Sequence, residues 1–324
     1  MAQTKKKIVF MGTPEFAATI LKYILKWPQG DIVGIYTQPD RPCGRGRKIK
    51  CSPVKELAQK HGLPIFQPKT FKEPAAIETL KSLDPDFLVV AAYGLILPKS
   101  VLEIPKIAPL NVHASLLPKY RGAAPIQRAI LNGEKVTGIT IMLMDEGMDT
   151  GPILLQRALA IGIDDTAASL HDELANLGGE LIVEALTKMS QGKLTPLPQP
   201  EERASYAPKL CKEEGLIDFN KSALEVHNQI RGLYPWPGAF FYFTKADGKN
   251  IQVQLFPGKV GDQLPKNHNF KPGQIAKIED NTLFFVCKDR FYLVSKLKPA
   301  NSKIMDATAF FCGFLSKCKT APKK

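Results

Sequence analysis

The chain has 324 residues, 44% hydrophobic and 23% charged, which are ordinary globular values. They exclude a disordered or collagen-like chain, and the length suits two domains. The apolar run Phe87 to Tyr93 falls far short of the ~18 residues of a transmembrane helix. Ile8–Met11, near the N-terminus, is too short for a signal peptide, so we expect no membrane association and a cytoplasmic location. The six cysteines include no Cys-x-x-Cys pair. That fits a reducing compartment and speaks against a zinc or redox site. The net charge of +13 is uneven: residues 209–324 hold 19 Lys/Arg against 10 Asp/Glu, and residues 1–191 hold 23 against 19. A basic second half suits a polyanionic partner, nucleic acid being the commonest, with solubility as the alternative.

In chain order, Ile8–Met11 predicts a short strand that Gly12-Thr13-Pro14-Glu15 turns into a helix, with Thr13 as N-cap and Pro14 at the first helical position. Further strands are predicted at Asp31–Thr37, Phe87–Ala92, Leu110–Ala114, Gly138–Met144 and Ile153–Ala160, then a long helix over Asp165–Ser190. Phe87–Ala92 is apolar on both faces, as a buried parallel strand is. Strands alternating with helices predict an α/β domain over residues 1–191 with a mainly parallel sheet. Residues 192–208 contain four prolines among 17 and read as an extended linker. In 209–324, Ala223, Val226, Ile230 and Leu233 stand at helical spacing. Strand-like runs follow at Ala239–Phe243, Ile251–Phe256, Gln274–Ile278, Thr282–Cys287 and Phe291–Leu297. Five such strands fit a small barrel, an OB-like one among the options, or a sandwich.

Three clusters carry chemistry. On a strand, Asn111 and His113 share one face while Leu110 and Val112 face the core. The strand stops at Ser115-Leu116-Leu117-Pro118, and open α/β sheets bind ligands beyond the carboxyl ends of their strands. There Asn111 offers a fixed neutral donor to an oxyanion and His113 a group that changes charge near neutrality. The alternative is a hydrogen-bonded histidine at a strand end. The second cluster, Met144 to Pro152, holds Asp145, Glu146 and Asp149. It fits a metal site, a solvated loop, or a carboxylate that reaches and orients His113. The third is Arg41, Arg45, Arg47, Lys48 and Lys50, five cations without an anion in ten residues. It is either a solvated loop or an arm that clamps a phosphate backbone. The turn at Gly12 lacks the later glycines of a dinucleotide site, so NAD and FAD are not expected.

The stretches IVFMGTPEFAATIL, TQPDRPCGRGRK, AAYGLILP, LNVHASLLPKYRGAAPIQRAILNGE, TGITIMLMDEGMDTGPIL and YPWPGA together resemble the methionyl-tRNA formyltransferase family over nearly the full chain. Its Asn-x-His, Ser-Leu-Leu-Pro and D-x-G-x-D-x-G-x-I elements are all present; Cys43 stands where a small residue such as Ala is expected. The resemblance implies a Rossmann-like formyltransferase domain and a C-terminal OB-like β-barrel that helps hold tRNA. It implies 10-formyltetrahydrofolate as formyl donor, initiator methionyl-tRNA as acceptor, no metal, and a monomer. It implies catalysis by Asn111, His113 and Asp149. Folate contacts would come from Tyr93, Gly94, Leu95, Ile96, Leu97, Ser115, Leu116, Leu117, Pro118, Asp145 and Glu146. The arm residues Arg41, Arg45, Arg47, Lys48 and Lys50 would bind tRNA. Glycinamide-ribonucleotide and sugar-nucleotide formyltransferases and formyltetrahydrofolate hydrolases are the enzyme alternatives, with the basic arm as discriminator. A non-catalytic RNA-binding protein on this fold is the alternative from another class.

Overall fold

A computed structural model describes residues 5–43 and 48–316. Arg45 and Arg47 of the arm lie outside these described residues. The chain separates into two compact units, one of Met1–Pro125, Val136–Ala160 and His171–Ala207, the other of Ile126–Lys135, Ile161–Leu170 and Pro208–Lys324. The units therefore interleave in sequence, whereas composition alone draws a single boundary around the proline-rich stretch.

The elements up to residue 207 run β1 (Lys6–Gly12), α1 (Glu15–Leu25), β2 (Gly30–Tyr36), β3 (Arg41–Cys43), β4 (Lys48–Lys50), α2 (Pro53–Lys60), β5 (Ile65–Phe66), α3 (Pro74–Ser82), β6 (Phe87–Ala91), α4 (Lys99–Leu102), β7 (Ala108–His113), β8 (Arg121–Gly122), α5 (Pro125–Leu131), β9 (Val136–Leu143), β10 (Ile153–Ala160), α6 (Ala167–Ser190) and β11 (Tyr206–Ala207). Seven strands form one sheet in the order β10-β9-β7-β6-β1-β2-β5. The five from β7 to β5 are mutually parallel; β9 pairs antiparallel with β7, and β10 antiparallel with β9. Chain order changes direction at β1, which has β2 on one side and β6 on the other. This is the Rossmann-like arrangement, with a mainly parallel sheet.

Both faces of the parallel part are covered, and its strand β6 is apolar throughout, with all five residues buried. Val9, Met11, Leu88 and Val90 share one face and pack with Leu80 of α3 and Val101 and Leu102 of α4. On the other face α6 comes close enough for Gly178 to lie against Val112, Ile20 and Ile139. A side chain at Gly179 would meet the Tyr23 ring. The two glycines thus let α6 seat against α1 and the sheet. Because Val112 faces α6, the pleat turns Asn111 and His113 to the opposite face, over which the loop after β6 folds.

At the end of β1 the helix begins at Glu15, with Pro14 in the N-cap position, one residue later than predicted. The Thr13 hydroxyl is used elsewhere: it donates to Tyr93 O at 3.0 Å and accepts from Gln38 N at 3.4 Å. It joins the carboxyl ends of β1, β6 and β2 instead of capping the helix.

The second unit contains α7 (Ala223–Gly232), β12 (Ala239–Thr244), β13 (Asn250–Leu255), β14 (Lys259–Gln263), β15 (Ile275–Glu279), β16 (Thr282–Val286), β17 (Arg290–Val294), β18 (Lys296–Pro299), β19 (Met305–Asp306) and α8 (Ala307–Phe310). Two four-stranded sheets, β12-β13-β18-β19 and β14-β17-β16-β15, are antiparallel throughout. Their inner residues share one core with α7 and α8, including Val253, Leu255, Leu283, Phe285, Tyr292, Val294 and Phe310. The unit is barrel-like. The single strand predicted over Phe291–Leu297 is two, because the chain passes from one sheet to the other at Ser295, whose carbonyl accepts from Ala307 N at 3.0 Å. The ladder of β14, sequence KVGDQ, has no apolar alternation to announce it.

Candidate active site

Asn111 and His113 stand on β7 with Asp149 against them. Asn111 Nδ2 donates to Asp149 Oδ1 at 3.2 Å, and the backbone N–H of Gly122 donates to Oδ2 at 2.9 Å. His113 Nδ1 faces Oδ2 at 3.5 Å. On its other edge, His113 Nε2 lies 2.9 Å from the Tyr120 carbonyl; a carbonyl only accepts, so this nitrogen carries the proton. The histidine is 6% exposed. One carboxylate thus meets an amide, an imidazole and a backbone N–H.

Its approach is not the one strand order suggests. Since β9 is antiparallel to β7, the loop after β9 starts level with Leu110, below Asn111 and His113. The loop must turn back along the sheet to bring Asp149 up to them. Two backbone features allow it. Asp149 itself adopts a left-handed conformation at φ 56°, one that Asp tolerates better than most residues. Gly151 is pressed so closely on Leu143 that an added Cβ would collide with its carbonyl oxygen. We predict that Gly151→Ala loses most activity together with about 1–3 kcal/mol of stability, checked by thermal melting beside an activity assay.

A support lies in the proline-rich stretch. Gln199, 8% exposed, donates through Nε2 to the carbonyls of Asp149 and Gly151, both at 2.8 Å. Its Oε1 accepts from Arg121 Nε at 3.1 Å and Nη2 at 2.8 Å. Arg121 in turn holds Glu201 in a bidentate pair at 2.9 and 2.7 Å, which lowers the Glu201 pKa from the ordinary carboxylate value. Residues 192–207 are therefore docked, around a 3-10 turn at Glu201–Arg203: Leu197 exchanges two backbone hydrogen bonds with Ile153, and β11 pairs in parallel with β8. Gln199→Ala leaves two carbonyls in the loop without this donor. We expect about 1–2 kcal/mol lower stability and a fall in turnover with substrate affinity within about twofold, read by comparing kcat with KM. An unchanged kcat would remove Gln199 from the support of Asp149.

Beside the trio is a cavity of about 290 Å³ lined by Leu95, Ile96 and Leu97, by Asn111, and by Met142, Met144 and residues 145–149. Of the residues predicted to meet folate, Leu95, Ile96, Leu97, Asp145 and Glu146 line it. Tyr93 does not: it is 2% exposed and packs in the core near Phe71, and burial pushes its hydroxyl pKa up. Gly94 and Ser115–Pro118 are also outside the lining. Thr140 fixes the latter loop, its hydroxyl donating to Ser115 O at 2.6 Å and accepting from Leu117 N at 3.1 Å. Met142, Met144 and Met148 line the cavity without having been predicted. Gly122, Arg121 and Gln199 were also missed. Arg121 and Gly122 sit in the KYRGAAP stretch, but no local periodicity marks them, and Gln199 sits where composition signals only a linker. Asp145 accepts from Gly147 N and Thr150 Oγ1, at 3.1 and 2.7 Å, which shapes the cavity rim.

Among the described residues, no group of three His, Cys, Asp or Glu side chains is placed to hold a metal ion. Cys287, in the second unit, is buried and its thiol is pushed up to about 12 by that burial, so it is protonated at neutral pH. No helix among the described residues is long and apolar enough to cross a membrane.

The formyl transferase family model matches residues 6–186, and the formyl transferase C-terminal domain model matches residues 209–315. A methionyl-tRNA formyltransferase of Nitratidesulfovibrio vulgaris is 51% identical over 313 residues, covering 97% of this chain and 94% of that protein. The chain belongs to the methionyl-tRNA formyltransferase family. A member from Acetivibrio thermocellus is 46% identical over 307 residues, 95% of this chain and 96% of that protein. One from Marinobacter nauticus is 57% identical over 234 residues, 72% of this chain and 75% of that protein. The fold is shared with an N-formyltransferase of Helicobacter canadensis crystallised with folinic acid and dTDP-3-aminofucose, at TM-score 0.64 and 21% identity over 90% of this chain and 98% of that one. It is shared too with HypX of Aquifex aeolicus in complex with tetrahydrofolic acid, at TM-score 0.62 and 18% identity, covering 99% of this chain and 49% of that one.

Proposed function

We propose that the chain moves the formyl group of 10-formyltetrahydrofolate to the α-amine of methionine on initiator tRNA. The observation that carries this reading is the Asp149 carboxylate held between Asn111, Gly122 and His113 at the wall of an apolar cavity. In the reaction a bond forms between the amine nitrogen and the formyl carbon, and the bond from that carbon to the folate nitrogen breaks. The amine loses a proton and the folate nitrogen gains one. Between these events the formyl oxygen carries negative charge. Asn111 lines the cavity, and the bond from its Nδ2 to Asp149 is long enough to be exchanged for one to this oxygen. Protonation of His113 Nδ1 makes it a donor toward Asp149 and sets a positive charge beside the oxyanion. The carboxylate orients the ring and is the acceptor for the amine proton, directly or through water.

The sheet of Leu95, Ile96, Leu97 and the three methionines suits a flat pterin, since thioethers adapt to an aromatic face. Asp145 and Glu146 supply acceptors for the pterin's N–H edge. Tyr93, Gly94 and Ser115–Pro118 act from behind, by holding the cavity's loops. The arm Arg41, Arg45, Arg47, Lys48 and Lys50 and the basic second half take the tRNA phosphates. The protein works as a cytoplasmic monomer, with residues 1–191 as catalytic domain, 192–208 as linker and 209–324 as tRNA-binding domain. The test is incubation with labelled 10-formyltetrahydrofolate and initiator or elongator Met-tRNA. We expect formyl-methionine on the initiator. Transfer only to an amino sugar nucleotide or to glycinamide ribonucleotide would replace this reading.

A further inference from the structure

Strands β3 and β4, three residues each, pair antiparallel with one another as the stem of the basic arm. Among the described residues they form a two-stranded sheet of their own, and so short a ribbon is marginal alone. Its direction must come from its base. There, a polar network ties the entering and leaving chain together. Asp40, just before β3, accepts from Lys55 Nζ at 2.6 Å through Oδ2 and from Gln67 Nε2 at 2.9 Å through Oδ1. Lys55 Nζ also donates to Gln67 Oε1 at 2.9 Å, and Gln67 Nε2 to Gln38 O at 2.9 Å. On the leaving side, Ser52 Oγ is 2.7 Å from the Thr37 hydroxyl and caps α2 by accepting from Lys55 N at 3.1 Å. Cys51 Sγ lies 3.9 Å from Asp40 Oδ2.

This pair differs from the ion pairs of the surface. The Lys55 and Asp40 side chains are 16% and 23% exposed, against 52% and 68% for Lys81 and Glu78. Exposed pairs contribute little, whereas a shielded pair with further hydrogen bonds holds a geometry. Lys55 and then Gln67, by hydrogen bonding, keep the Asp40 carboxyl below its ordinary pKa. The transfer chemistry uses none of these groups.

We infer that Asp40, Lys55 and Gln67 are positioning residues that set the direction in which the basic arm is presented to the tRNA. The inference rests on the reading of that arm as a tRNA-binding element. It is tested on the full chain with Lys55→Met, Lys55→Arg and Asp40→Asn, by amide hydrogen exchange over residues 39–52 and by Michaelis constants for initiator Met-tRNA and for folate. We expect Lys55→Met to speed exchange in the arm's stem by about tenfold, the loss of a charge-assisted bond, with exchange in β7 unchanged. The KM for tRNA should rise several-fold, with kcat and the folate KM within about twofold. Lys55→Arg should recover part of the tRNA affinity, and Asp40→Asn should add little on top of Lys55→Met, because both break one pair. Unchanged exchange in the stem overturns the clamp itself. Faster exchange with unaltered tRNA KM also overturns the inference, but through the arm, whose role in tRNA binding would then be the part that failed. A joint fall in kcat, folate affinity and β7 protection would mark a general loss of structure and defeat it as well.

Discussion

Asn111→Ala should lower single-turnover formyl transfer by about 10²–10³, because in the proposed mechanism it removes a donor to the developing oxyanion. His113→Ala should lower it by about 10²–10⁴, the usual range for a group that moves or stabilises a proton. Asp149→Asn belongs with them. The carboxylate takes the Asn111 amide on one oxygen and the Gly122 N–H on the other. A carboxamide has one acceptor oxygen to share between these donors, and its own NH₂ meets one of them. It also loses the charge opposite His113 Nδ1. The three losses should not add, since the residues act as one unit. Folate binding should persist in all three, measured by equilibrium titration, because the cavity wall is mostly other residues. Near-wild-type turnover in any variant would take that residue out of the mechanism.

Removing the five cations Arg41, Arg45, Arg47, Lys48 and Lys50 should weaken tRNA binding most at low salt. Each neutralised phosphate releases counterions, so the slope of log affinity on log salt should fall by roughly 3–4. Arg45→Ala is the most informative single change, since Arg45 is the arginine at the centre of the Gly44-Arg45-Gly46 motif. Arginine pairs bidentately with phosphate and stacks on exposed bases, so Arg45→Lys should rescue little. The folate affinity of each variant should stay as it is. If Arg45→Ala formylates initiator Met-tRNA normally at physiological salt, acceptor recognition lies elsewhere, and sugar-nucleotide and glycinamide acceptors become the next to assay.

The sharing of one face by Asn111 and His113 was legible from strand periodicity, because a period of two leaves no other arrangement. The sheet's interior was legible too, in the unbroken apolar run of Phe87–Ala91. The path of Asp149 was not. A D-x-G-x-D-x-G pattern shows that a loop carries carboxylates, but the antiparallel register of β9, which makes the loop fold back, is set by pairing across the sheet. Gln199 and Arg121 were hidden for a similar reason: their partners are 50 and 78 residues away in the chain. In the second unit, β14 and the break at Ser295 depend on which sheet each residue joins. Local composition does not carry that information.

The docking of residues 192–207 has a consequence for recombination between relatives. A crossover at residue 191 would take Gln199 from one parent and the loop it holds from the other. The inherited trio of Asn111, His113 and Asp149 would then rest on a foreign brace. A crossover just after Ala207 keeps brace and loop together. Yet Ile126–Lys135 and Ile161–Leu170 cluster with the later part of the chain, so they must come from the parent that supplies it. A well-packed hybrid of two such enzymes therefore calls for exchanging three separate pieces, and the proline-rich stretch, for all its look of a natural cutting point, should stay with the catalytic parent.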